Sequence, residues 1–236
     1  MSGALAERLR AVEERVAAAC ARAGRDSRQV RVLPISKTQP VAALEEAVAA
    51  GCRRFGENRV QEMAAKAAAL AGSADLSWTL VGHLQTNKAR DAVAWADELQ
   101  SLDSLRLAAA LQNQCERQDR RLDVLIEVNT SAETSKFGLP PADLPRFTAQ
   151  LAAFDRLRPR GLMTVALPSP DPEPVAACFS LLSAWRERLR ERDGGGWPEL
   201  SMGMSQDFEL AVACGSTCVR IGTAVFGARP VPVPEL

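Results

Sequence analysis

The sequence contains no tyrosine and a single histidine, His83, among its 236 residues. Any mechanism that needs a phenol as proton donor or acceptor is closed to it, and every imidazole-based mechanism must pass through one side chain. Net charge is missing as well, since 29 Lys and Arg residues offset 29 Asp and Glu. Without a long block of either sign there is none of the field that draws in nucleic acid or an anionic membrane, so neither is expected as a partner. Six cysteines, Cys20, Cys52, Cys115, Cys178, Cys214 and Cys218, form no CxxC pair and no Cys/His ligand spacing, which gives no reason to expect a metal site. Scattered thiols fit a reducing compartment, and a cytoplasmic protein is the expectation. No apolar run approaches the ~18 residues of a membrane span, and the charges at Glu7, Arg8 and Arg10 argue against a signal peptide.

What is present is periodicity. Leu5, Leu9, Val12, Val16 and Cys20 fall at helical spacing among charged residues and the stripe stops at Gly24, which predicts an amphipathic first helix. A short apolar strand over 30–36 follows, then a helix over 40–50 opened by Pro40 and stopped by Gly51. The alternation recurs with strands over 53–55, 78–81, 98–101, 123–128, 159–163, 200–202 and 218–221. Helices are expected between them over 58–70, 86–95, 103–118, 144–154, 174–191 and 206–213. Eight strands alternating with helices imply right-handed crossovers and a parallel sheet, the economy of one (β/α)8 TIM barrel with an extra N-terminal helix, a single domain over residues 1–236. A doubly wound open sheet is the competing topology, but the first strand is not followed by the GxGxxG turn of a dinucleotide site. Pro34 sits awkwardly inside the first strand, because its ring has no N–H to give to a ladder, and a local bulge is expected there.

A barrel places its chemistry at the C-terminal ends of its strands. The residues there are Lys37, Asn58, His83, Lys136, Thr164, Ser205 and the segment from Arg220 to Thr223. Lys37 would rise from a low-dielectric wall, where desolvation favours the neutral amine that attacks a carbonyl to form a Schiff base. Taken alone, a lysine there is more often a surface residue with a snorkelling stem. The segments Ser201-Met-Gly-Met-Ser205 and Arg220-Ile-Gly-Thr-Ala224 end strands seven and eight with small residues. Glycine beside the Ser205 and Thr223 hydroxyls would expose backbone N–H groups to a phosphate where barrels commonly hold one, although the same residues are also ordinary caps. A barrel lysine with a phosphate cradle suggests an aldehyde that carries a phosphate, of which pyridoxal 5'-phosphate (PLP) is the commonest cofactor. Arg220 would then face the pyridine nitrogen as a permanent donor; its alternative is a salt bridge at the barrel rim.

The segments Ile35-Ser-Lys-Thr38, Phe55-Gly-Glu-Asn-Arg-Val-Gln-Glu62, Val81-Gly-His-Leu-Gln-Thr-Asn-Lys88, Ser201-Met-Gly-Met-Ser205 and Gly215-Ser-Thr-Cys-Val-Arg-Ile-Gly-Thr-Ala-Val-Phe-Gly227 closely resemble the pyridoxal phosphate homeostasis protein family, in order and spacing over nearly the whole chain. The resemblance implies a barrel related to that of bacterial alanine racemase, binding PLP covalently without established catalytic turnover. By motif, Lys37 would be the Schiff-base lysine, Arg220 the partner of the pyridine nitrogen, and Ser205, Gly222 and Thr223 the phosphate contacts. Asn58 and Met204 would line the same pocket. Where the family often carries a first histidine before the Gly-His pair, this chain has Thr79, so no role of that histidine transfers. His83 is expected to be structural, and Lys136 is kept outside the site.

Related racemases pair a lysine with a tyrosine and add a second domain. This chain has no tyrosine and only residues 228–236 after Gly227, so a two-base racemase is not expected and a monomer is. The leading expectation is a non-catalytic PLP carrier of vitamin B6 homeostasis that passes the cofactor to PLP-requiring apo-enzymes. The alternatives are a weak racemase-like PLP enzyme using the same lysine and a metal-free barrel aldolase acting on a sugar phosphate.

Overall fold

The computed structural model describes residues 3–73, 75–133 and 136–227. Thr134 and Ser135, just before Lys136, and the segment 228–236 used to argue against a second domain, lie outside the described residues. Eight strands form one sheet: β1 (Arg31–Pro34), β2 (Arg54–Glu57), β3 (Ser77–Leu80), β4 (Glu98–Leu102), β5 (Leu122–Glu127), β6 (Leu157–Met163), β7 (Glu199–Met204) and β8 (Cys218–Ile221). Helices α1 (Gly3–Arg22), α2 (Val41–Ala49), α3 (Val60–Ala69), α4 (Ala89–Trp95), α5 (Leu105–Arg117), α6 (Leu144–Leu151), α7 (Pro172–Asp193), α8 (Phe208–Ala213) and α9 (Thr223–Phe226) accompany them.

Every adjacent pair is parallel, and the order runs β1-β8-β7-β6-β5-β4-β3-β2. The two end strands meet through a bridge between Ile35 and Gly56, with the Ser36 N–H donating to the Gly56 carbonyl at 2.9 Å. The architecture is therefore the expected (β/α)8 barrel, nearly closed, and not the open doubly wound sheet.

Pro34 corrects one expectation. The β1–β8 register runs without interruption from Arg31↔Cys218 to Pro34↔Ile221, and the register shifts fall in β4–β5, β5–β6 and β7–β8 instead. Arg31 and Ile35 donate their N–H groups to β8, at Thr217 and Ile221. Their spacing puts the N–H-less face of Pro34 towards β2, at the seam where pairing begins only with Ser36. A missing donor costs nothing where no acceptor waits.

The main apolar core lies between sheet and helices, built on Phe55, Phe179, Phe208, Leu44, Leu99 and Leu111, all fully buried. The stripe of α1 buries Leu5, Leu9, Val12, Val16 and Cys20 against α8, α9 and α2, and Arg8 Nε donates to the Val225 carbonyl at 2.8 Å. Each such side chain moved out of water contributes about 1.5–3 kcal/mol, which accounts for a helix outside the barrel repeat.

The barrel lumen, in contrast, is partly polar. Arg31 reaches across it to Glu98 at 2.8 Å and Glu199 at 2.5 Å. Gln100 donates to Glu98 at 2.6 Å and accepts from Ser201 at 2.7 Å. Strands that are not neighbours can meet this way only through side chains on the inner face, the every-second-residue set of each strand.

Candidate functional site

At the C-terminal ends of the strands a cavity of about 630 Å³ opens, within the range of small-molecule sites. Its walls include all seven residues singled out from the sequence: Lys37, Asn58, Met204, Ser205, Arg220, Gly222 and Thr223. Residues 37 and 223 stand far apart in the chain and meet here because β1 and β8 are neighbours. Lys37 follows the last paired residues of β1 and is half-buried. Asn58 follows β2 directly, and Gly82 after β3 backs onto it: a Cβ on Gly82 would stand 2.3 Å from the Asn58 carbonyl oxygen. The glycine of the Val81-Gly-His motif is required by that approach of two loops.

The β7 side is shaped by Gly203, whose φ of +94° and contacts with Ala211 and Phe208 leave no room for a Cβ. It turns Met204 outwards to the mouth, where it is exposed, and brings Ser205 into the turn before α8. Ser205 thus precedes the helix by a turn rather than standing at its first residue. On the β8 side Gly222 leads into α9, whose first N–H groups, at Thr223 and Ala224, have no acceptor within the helix. Two hydroxyls and backbone donors therefore converge from adjacent strands.

Arg220 is 5% exposed and lines the cavity. It donates to Ser201 Oγ and to the Thr164 carbonyl, both at 2.7 Å. The rim salt bridge considered for it is not what forms: among the described residues its partners are neutral, and no carboxylate stands within ion-pair distance. Burial lowers its pKa below the ordinary guanidinium range, opposed by Cys218, Glu127 and Asp207. A guanidinium keeps its proton even so, and its remaining donors suit a neutral acceptor in the cavity.

Other residues at the mouth, two of them named from the sequence but left outside the site, complete its surroundings. Lys136 lines the cavity, donating to the Ala166 carbonyl at 3.2 Å and pairing with Glu133. The loop after β6, Val165 to Ser169, supplies an apolar side. Thr164 stands behind the wall and acts through its carbonyl. His83 faces a separate groove of about 520 Å³, with Nδ1 3.2 Å from Asp103 and its ring stacked on Phe137 at 3.8 Å. It is exposed and is not among the residues that line the cavity. Thr79, in place of the family's frequent histidine, is buried with its hydroxyl unpaired. Among the described residues no cluster of His, Cys, Asp or Glu could hold a metal ion, and no helix is long and apolar enough to cross a membrane.

The alanine racemase N-terminal domain family matches residues 8–230. A pyridoxal phosphate homeostasis protein of Escherichia coli strain K12 is 41% identical over 236 residues, spanning 95% of this chain and 97% of that protein. PipY of Synechococcus elongatus PCC7942, solved with PLP bound, is 38% identical with a TM-score of 0.83, over 94% of this chain and all of PipY (100%). An alanine racemase of Clostridium difficile 630 shares the barrel alone, at 12% identity and a TM-score of 0.73, over 96% of this chain and 58% of the racemase. With the motifs in register and the barrel mouth built from them, the chain belongs to the pyridoxal phosphate homeostasis protein family.

Proposed function

We propose that the cavity at the barrel mouth holds pyridoxal 5'-phosphate through Lys37, and that the protein serves intracellular vitamin B6 homeostasis as a cytoplasmic, monomeric carrier that passes the cofactor to apo-enzymes without catalytic turnover. One observation carries this reading: a lysine from the start of the barrel and the hydroxyl- and glycine-bearing ends of β7 and β8 line a single cavity of about 630 Å³. When bound, the cofactor supplies an aldehyde that condenses reversibly with a primary amine, releasing water. Lys37 presents that amine from a half-buried stem. Ser205, Thr223 and the backbone at Gly222 hold the phosphate. Asn58 and Met204 wall the ring, and Arg220 gives the pyridine nitrogen a hydrogen bond without giving up its proton. A ring nitrogen left unprotonated is a poor electron sink. The chain also lacks the tyrosine that would serve as a second base. Both features favour holding over turnover.

The test is an absorption spectrum of the purified protein before and after borohydride, followed by peptide mapping. The native protein fixes a pyridoxyl group on Lys37 and Lys37→Ala does not. A full covalent yellow chromophore in Lys37→Ala would overturn the reading. The second amine on the cavity wall, Lys136, favours one rival, a weak PLP enzyme acting on amino acids. Sustained cofactor-dependent α-proton exchange in deuterated water would establish that rival.

A further inference from the structure

Lys37 stands between two backbone groups held by one ion cluster outside the cavity. On its N-terminal side, Ser36 gives its carbonyl to the Lys66 ammonium as acceptor and its hydroxyl to Glu57 as donor, each at 2.6 Å. On its C-terminal side, the Thr38 N–H donates to Glu62 Oε1 at 2.5 Å. Lys66 closes the cluster by donating to Glu57 and Glu62, both at 2.7 Å. Its three protons thus meet three acceptors. Glu57 is 0% and Lys66 5% exposed, and none of the three charged residues lines the cavity.

Stability does not account for such a cluster, because desolvating a buried ion pair offsets most of its attraction, and apolar residues of the same volume serve as well. Geometry does account for it. Thr38 has a φ of +64°, a left-handed conformation that is strained for a β-branched residue and persists only where its surroundings impose it. The carboxylate on its N–H is such a restraint. Ser36, on the other side of Lys37, is fixed by both its carbonyl and its hydroxyl.

We propose that Glu62, backed by Lys66 and Glu57, is a positioning residue that fixes the backbone on both sides of Lys37 and so aims its amine into the cavity. The proposal rests on the reading of Lys37 given above, and its test separates the two. Three variants are compared with the native protein. Glu62→Ala removes the acceptor. Glu62→Asp keeps the charge beside Lys66 but falls short of Thr38, and Glu62→Gln keeps an oxygen within reach. Glu62 is partly exposed, with 26% of its side chain accessible, so water can fill the space left by truncation. Two quantities are read: the rate at which PLP is fixed on Lys37 by borohydride, and the affinity for pyridoxine 5'-phosphate, which has the ring and phosphate but no aldehyde.

Misplacing a reacting group by an ångström costs up to about a hundredfold, so Glu62→Ala and Glu62→Asp should slow fixation about tenfold or more. Affinity for pyridoxine 5'-phosphate should stay within about twofold, a change of under half a kcal/mol. Glu62→Gln should recover most of the native rate. Native rates in the alanine and aspartate variants would overturn the proposal and leave Lys37 as the cofactor lysine. A parallel loss of both ligands would overturn it too, because it marks a merely structural role. Absence of fixation on Lys37 in the native protein would overturn the underlying reading, and the proposal with it.

Discussion

Among the described residues, Arg31 and Arg220 stand at opposite ends of the barrel lumen, and they are treated in opposite ways. At the N-terminal end, Arg31 is matched by two carboxylates, Glu98 and Glu199. At the C-terminal end, Arg220 meets only a hydroxyl and a carbonyl. Gln100 and Ser201 join the two through continuous hydrogen bonds. A buried cation with its counter-charges in place closes a fold, whereas one left with neutral partners has donors to offer a ligand. Charge compensation, more than exposure, therefore tells the N-terminal end of this barrel from the proposed binding end.

The sharpest way to break that comparison is Arg31→Ala. It leaves Glu98, nearly buried, without its cation, and removal of one partner of a buried pair costs about 3–5 kcal/mol. At roughly 2–4 °C per kcal/mol for a chain of this size, Tm should fall by about 10 °C, measured by thermal unfolding. Cofactor affinity of the folded fraction should be unchanged; its loss would show that the two ends are coupled through Gln100 and Ser201. Arg220→Gln inverts the pattern. Losing the charged donor proposed to serve the ring should weaken PLP binding about 10–100-fold by equilibrium titration, the equivalent of about 1.5–3 kcal/mol. Its Tm should change far less than that of Arg31→Ala, since no carboxylate is orphaned.

Much of this was legible in the chain itself. All eight strands lie within a few residues of their expected positions, and the separate motifs around Lys37, Asn58, Ser205 and Arg220 meet on one cavity. Local periodicity reports which residues face the core, and strand order then brings distant ends together. The lumen's polar chain was not legible, because Arg31 and Glu98 are joined across the barrel and no local pattern records such a pair. Lys136 was legible as a residue near the mouth but was kept outside the site, whereas the cluster on Lys66 was not legible, because its partners come from three different segments. Pro34 misled because the seam between β1 and β2, where a missing donor is harmless, exists only in the closed barrel.

Glu127, at the end of β5, tests the comparison from a third position. Burial pushes its carboxyl up to about 7, with Asp103 adding to the rise and Arg220 opposing it, and its Oε2 is buried without a hydrogen-bond partner. The folded protein thus keeps a proton that the unfolded chain gives up above the ordinary glutamate range of about 4.3. The unfolded state binds fewer protons than the folded one between those two values, so stability falls as pH rises from about 4.3 to about 7 and is level above that. Because Glu127 is only partly buried as a residue, the loss is set at about 2 kcal/mol, below the value implied by the whole shift. Glu127→Gln removes the titration, and urea unfolding at pH 8 should find it more stable than the native protein by about that amount, with no difference near pH 4. A native advantage at pH 8 would mean that the ionised carboxylate is the form the fold uses, as a distant counter-charge to Arg220. The binding end would then be partly compensated, and the contrast with Arg31 would be one of degree.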